Sequence, residues 1–198
     1  MPTTAQLAQR SVATLLAHFA TALPWLTDVY GLVQTGTDKT GKNLYPQLYA
    51  PNVDGQTTDI RPDGAMAALC FFERDGPSRI DWADDLNTAG DWEHPLAAVL
   101  WLNLPLLDAT RTDDFTEEVV QDFLQYGLRA SPIGAYITPE RVELQQERVW
   151  QRYRWAEAEQ QYSMYPYASI RLPFTVRQRY EPCPARFVAR VAPSPKMD

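Results

Sequence analysis

Two near-continuous apolar runs, Ala65–Phe72 and Leu96–Leu104, constrain the fold of this chain more than any other feature. Apolar stretches of this length, flanked by turn residues, are the pattern of strands buried on both faces. A third segment, Tyr167–Tyr180, alternates instead. Ile170, Leu172, Phe174 and Val176 fall on one side and Arg171, Thr175, Arg177 and Arg179 on the other, the period of a half-buried strand. Pro173 removes one ladder donor, so this strand is expected at a sheet edge or with a bulge. Val29–Gln34 and Leu44–Tyr49 flank the polar stretch Thr35–Asn43 and predict a β-hairpin. Between the two apolar runs, Glu73–His94 is acidic and expected to be irregular.

Helical spacing accounts for three other segments. Leu7, Val12, Leu15, Leu16, Phe19 and Leu23 form one stripe of a helix that starts at Thr3 or Thr4 and stops before Pro24. Asp113–Leu128 carries Phe115, Val119, Val120, Phe123, Leu124 and Leu128 on one face, with Asp113, Asp114 or Thr116 as cap and Glu117 and Glu118 at the positive end of the dipole. Thr138-Pro139-Glu140 predicts a third helix to about Tyr153, with Val142, Val149 and Tyr153 inward. The expected class is therefore α+β: a mainly antiparallel sheet of about five strands, with an N-terminal helix and two further helices packed on it. Residues 1–180 read as a single domain, and 181–198, with four prolines, as an extended arm.

Composition narrows the chemistry. With 45% hydrophobic and 22% charged residues the 198-residue chain is of globular type. Two histidines and two cysteines leave little material for soft-metal or thiol chemistry. Cys70 lies inside an apolar run and is expected in the core; Cys183 sits between two prolines. Nothing predicts a disulfide framework, a secretory signal or a membrane span, which points to a reducing compartment. The net charge of −7 is unevenly spread: residues 1–140 hold 8 basic and 19 acidic side chains, residues 141–198 hold 10 and 6. An acidic body disfavours non-specific DNA binding, while a basic end invites an acidic partner or a sister subunit.

Each catalytic pattern in the sequence has a plainer explanation. Gly36–Asn43 matches seven positions of a phosphate-binding loop, but Asn43 replaces the Ser or Thr, and Pro46 and Pro51 stand where the helix should follow. Asp63 and Glu73-Arg74 faintly resemble a metal-dependent nuclease, without the required spacer. Asp91-Trp92-Glu93-His94 places two acids by an imidazole, and His18 lies beside a helical stripe. The sequence thus predicts no catalytic, cofactor or metal site, and no enzyme. Trp150, Tyr153, Trp155, Tyr162, Tyr165 and Tyr167, interleaved with Arg148, Arg152 and Arg154, have interface composition, though packing onto the sheet or stacking on single-stranded bases fits the same residues.

The phrase Tyr165-Pro-Tyr-Ala-Ser-Ile-Arg-Leu-Pro-Phe-Thr-Val-Arg-Gln-Arg-Tyr180 resembles the closing strand of neck or tail-completion proteins of tailed phages and prophages of Bacteroidetes-type hosts. The order of parts is similar too: an N-terminal helix, a hairpin tip Gly36–Lys42, a return strand with Tyr45-Pro46, the strand Val99–Leu104 and a helix opening Phe115-Thr-Glu-Glu. The acidic segment Glu73–His94 and the Pro-rich arm depart from the pattern. The resemblance implies a tail-terminator-like, non-catalytic subunit of a ring in the virion, assembled in the host cytoplasm. Its partners would be copies of itself and neighbouring neck or tail proteins, with DNA passing through the lumen without specific binding and no membrane contact. The subunit interface would use Arg171, Arg177, Arg179, Trp150, Tyr153, Trp155, Tyr165 and Tyr167. A monomeric adaptor docking through residues 148–167 is the alternative, and a nuclease using Asp63 and Glu73 the third.

Overall fold

The computed structural model describes residues 4–37, 40–49, 57–83, 90–155, 161–162 and 164–179. The expected arm, 181–198, and Cys183 lie outside them. The architecture is α+β, built on a mixed six-stranded sheet. Its elements are β1 (Asp28–Leu32), β5 (Ala68–Arg74), β6 (Arg79–Trp82), β7 (Gly90–Asn103), β8 (Ile137–Pro139) and β9 (Tyr167–Arg179). The order across the sheet is β1-β5-β7-β9-β8, with β6 paired to β7. Only β1, beside β5, is parallel to its neighbour. A second antiparallel sheet contains β2 (Gln34–Thr37), β3 (Leu44–Tyr49) and β4 (Thr57–Asp59).

The apolar runs become β5 and β7, the two strands at the centre, because each has a packed layer on both sides. On one face α1 (Thr4–Ala22) and α3 (Thr116–Asp122) bury Val12, Leu15, Phe19, Val119 and Val120 against Cys70, Phe72, Leu100 and Ile170. None of the expected capping residues is the N-cap, which is Phe115, but Asp114 just before it accepts the Thr116 amide on Oδ1 at 3.0 Å. The helix continues through a π-helical turn, Phe123–Arg129, where Gly127 lets it approach α1: a Cβ there would lie 3.0 Å from Leu23 Cδ1. On the opposite face Leu69, Phe71, Val99 and Trp101 pack against Ile60, Val149, Trp150 and Tyr153.

Four sequence expectations need correction. First, β1 joins the main sheet and Val33 donates to the Phe72 carbonyl, so the hairpin partner of β3 is only Gln34–Thr37. Second, part of Glu73–His94 is strand. β6 continues the line of β5 along β7, and Asp75–Ser78 bulges out opposite His94 and Pro95. Pro95 is tolerated inside β7 because its carbonyl accepts from Asp75, so its missing N–H also faces that bulge. Third, β9 is not a free edge along its whole length. β8 pairs with it at Phe174–Val176, and the Pro173 carbonyl accepts from Glu140, which puts the missing donor on this loosely paired side. Fourth, the helix expected from Pro139 to Tyr153 is replaced by β8, an extended stretch bridged at Glu143–Arg171, and the single turn α4 (Gln146–Val149). Val142 and Leu144 are exposed and leave the apolar stripe incomplete, whereas pairing with β9 satisfies the Glu143 backbone in both directions. The remaining helix, α2 (Leu104–Leu107), is also a single turn.

Candidate functional site

The alternation of β9 holds: Ile170, Leu172, Phe174 and Val176 all enter the helix-side core. The opposite side is not solvent at Arg171. Its side chain is 2% exposed, and its Nε donates to Glu73 Oε1 at 2.8 Å. Its Nη2 also pairs with Asp75, as does Arg152 Nη2 at 3.1 Å. Tyr153 Oη donates to Glu73 Oε2 at 2.8 Å, completing the shell of a carboxylate whose side chain is only 4% exposed. Burial works to lower the Arg171 pKa, but the Asp75 hydrogen bond and the Glu73 charge outweigh it and raise the value. Tyr153 is likewise pushed up, by burial first and then by Glu73. A guanidinium and a carboxylate this deep require each other, so Arg171 is a structural partner inside the subunit and is not available to a neighbour.

Most of the aromatic segment is also spent internally. Trp150 and Tyr153 are buried. Trp155 closes a cluster with them, its ring 4.9 Å from Trp150 and 5.4 Å from Tyr45. Tyr167 stacks on Trp101 at 5.2 Å. Tyr165 is different: it is 66% exposed, and its hydroxyl donates to the Thr112 carbonyl at 3.1 Å.

The exposed candidates gather at the two ends of β9. At its C-terminal end Arg177 and Arg179 line a cavity of about 540 Å³ together with Tyr136, which is 59% exposed. Arg177 Nε donates to Glu93 Oε1 at 3.0 Å, and Arg79 Nε donates to Glu93 Oε2 at 2.7 Å from the other side. The Arg79 hydrogen bond, against the burial of Glu93 and with Arg177 adding, holds this carboxylate below its usual range. Arg179 has no ion-pair partner among the described residues. At the N-terminal end Tyr165, Tyr167 and Leu144 line a cavity of about 390 Å³ with Asp114 and Glu117 on its rim. The two ends are about 40 Å apart along the strand, at about 3.3 Å per residue. Sequence reasoning missed Leu144 here and gave Glu93 and Asp114 other roles, beside an imidazole and as a helix cap. The exposed apolar position Leu144, out of phase with Val149, was the available signal.

The catalytic patterns do not converge. Asp63 caps a turn by accepting the Ala65 amide. Its neighbour Gly64 meets Asn103, whereas Glu73 pairs opposite Ala97, about 20 Å down the sheet. In β7, Asp91 and Glu93 point to one face and His94 to the other, where its Nδ1 meets Ser78 Oγ at 2.8 Å. His18 bonds the Tyr126 carbonyl. Gly36 and Asn43 flank a hairpin with Gly41 at φ 70°; the segment returns as β3, with no helix, while Asp38 and Lys39 lie outside the described residues. Cys70 is buried, and burial raises its thiol pKa. Among the described residues no group of three or more His, Cys, Asp or Glu is placed to hold a metal ion, and no helix is long and apolar enough to cross a membrane. The chain matches no known protein family and no curated protein sequence.

Proposed function

We propose that this chain is a non-catalytic structural subunit of a phage or phage-like particle, assembling head to tail into a ring at the neck or tail end. The observation that carries the reading is the difference between the two ends of β9: two guanidiniums, Arg177 and Arg179, beside the single carboxylate of Asp91 around an open cavity at one end, and the carboxylates of Asp114 and Glu117 with exposed apolar side chains around another at the far end. A ring needs two different, complementary patches on each copy, because a heterologous contact repeats around the closed circle. An acidic surface turned to the lumen would repel DNA and let it slide, while neighbouring neck or tail proteins stack on the ring's faces. The adaptor reading draws less support, since Trp150 and Tyr153, the centre of its docking segment, are buried within the subunit.

The test is the molar mass of the chain by light scattering across a concentration series, with electron micrographs of the same fractions. Closed rings of fixed size are expected. Arg177→Ala with Arg179→Ala should raise the concentration needed for assembly at least tenfold while the dilute subunit stays folded, Glu93 keeping its hydrogen bond from Arg79. Unchanged assembly by that variant excludes the basic end as an interface.

A further inference from the structure

We propose that the exposed edge of the main sheet at Arg141–Gln145 pairs with the same segment of a second copy, about a twofold axis at Glu143, and joins the two sheets into one. The contact goes beyond the ring reading and does not rest on it, since Asp114, Glu117, Arg177 and Arg179 take no part.

The edge follows from backbone parity. Glu143 donates to the Arg171 carbonyl and accepts from the Arg171 amide, both at 2.9 Å. In extended backbone the hydrogen-bonding groups of successive residues point to opposite sides, so the N–H and C=O of Val142 and Leu144 face away from β9. Among the described residues neither has a backbone partner. Nothing covers the stretch: Arg141, Val142, Leu144 and Gln145 are all exposed. An exposed, unpaired edge is a template for an incoming strand. The two positions with outward backbone groups are also apolar, Val142 being 40% and Leu144 42% exposed.

The strand that fits is the segment itself. Antiparallel pairing centred on Glu143 sets Val142 opposite the partner's Leu144, and Leu144 opposite the partner's Val142. Each of those pairs exchanges both of its backbone hydrogen bonds, and the apolar side chains meet on one face of the joined sheet. On the other face the two Glu143 side chains come opposite each other, which like charges alone would oppose. Each arrives already paired with Arg141 and Arg148, whose side chains are 71% and 65% exposed. Arg141 also lies diagonal to the partner's Glu143, within reach of a long side chain. Apolar side chains and charges thus complement themselves in the register that a twofold axis imposes, the condition for an isologous contact.

The test uses the full-length chain carrying Cys183→Ser, which leaves buried Cys70 as the native thiol. Val142→Cys and Leu144→Cys are made separately in that background. In the proposed register, position 142 of one copy and position 144 of the other have Cα atoms about 5.5 Å apart, within the span of a disulfide. Two copies of the same variant place their cysteines diagonally, about 7–8 Å apart and outside that span. With diamide as oxidant, a one-to-one mixture should give the disulfide-linked pair at least tenfold faster than either variant alone. Val142→Lys should raise at least tenfold the concentration at which light scattering shows the mass doubling. Its dilute unfolding midpoint should not change, because position 142 is exposed and its backbone unpaired in the single chain. A mixture that cross-links no faster than its components, unchanged association of Val142→Lys, or a wild-type chain monomeric throughout overturns the proposal. The ring reading is judged apart. Rings with no cross-linking in the mixture leave it standing without this contact, and cross-linked dimers that never close into rings uphold this contact without it.

Discussion

Replacing Arg171 with Met separates a core role for this residue from an interface role. In the native subunit its guanidinium satisfies Glu73 at 2.8 Å and pairs with Asp75, with 2% of the side chain exposed. Met fills much of the same volume but donates nothing. Glu73 then keeps Tyr153 Oη at 2.8 Å and the more distant Arg152 Nη1 at 3.7 Å. Breaking a buried ion pair by removing one partner costs about 3–5 kcal/mol, and the two residual donors place this case near the lower end. For a chain of this size each kcal/mol moves the midpoint by about 2–4 °C, so Arg171→Met should melt about 6–12 °C below wild type. Neutralising the stranded acid as well, with Glu73→Gln, should recover a substantial part of the loss, because the two changes touch one interaction and are not additive. The assay is thermal and urea unfolding at a protein concentration low enough to keep the chain monomeric, followed by far-ultraviolet dichroism. A loss below about 1 kcal/mol, the scale of an exposed ion pair, refutes the buried-clasp reasoning. So would a double variant whose loss equals the sum of the singles.

Two further perturbations probe the region where β6 joins β7. His94 is buried, and burial, with the Arg74 charge adding and Gln178 weakly opposing, lowers its pKa. The unfolded chain therefore binds more protons below about pH 6.5, and stability falls as pH drops from there toward the depressed folded value, by up to about 1.4 kcal/mol per unit. Urea midpoints at pH 7.5, 6.5 and 5.5 should show this slope in wild type and a flatter profile in His94→Asn; equal slopes exclude His94 as the source. Gly90→Ala places a Cβ 2.5 Å from the Asp81 carbonyl oxygen. The expected cost is about 1–3 kcal/mol of overpacking, with faster amide exchange confined to β6, and uniform exchange across the sheet counts against a local effect.

What the sequence discloses follows the range of the forces involved. The buried strands β5 and β7 are legible because burial on both faces is written in the strands' own residues. The face assignment of β9 is legible for the same reason. The environment of Arg171 is not, since alternation says which side it points to but not what lies there. The cover is Tyr153 and Arg152, and the acid is Glu73, 98 positions away. The signals at Thr138-Pro139-Glu140 mislead because a Pro after Thr opens a helix or joins an edge strand equally well. The long-range pairing of Glu143 with Arg171 decides between them. Glu93 is hidden in a run of acids because its significance lies in two arginines on two other strands, 14 residues before and 84 after it.

The two arginine sites of β9 differ in what they leave exposed: Arg171 is buried and Arg177 is not. At Arg171 the charges are matched inside the subunit and shielded from water, so that site fixes the strand against β5 and offers nothing outward. At Glu93 the balance differs: one carboxylate, 5% exposed, holds two guanidiniums that are 75% and 54% exposed. The clasp therefore orients Arg79 and Arg177 while leaving both guanidiniums largely exposed, and Arg179, which has no ion-pair partner among the described residues, lies at the same end beside Asp91. A long, flexible side chain normally loses about 0.5–1.5 kcal/mol of rotamer freedom when an interface immobilises it. For Arg177 part of that ordering is already complete in the free subunit. On the ring proposal, an arginine held in place this way at one end of β9, with Asp114 and Glu117 near the other end, would lower the entropic cost of each head-to-tail contact, a cost a ring incurs once per subunit.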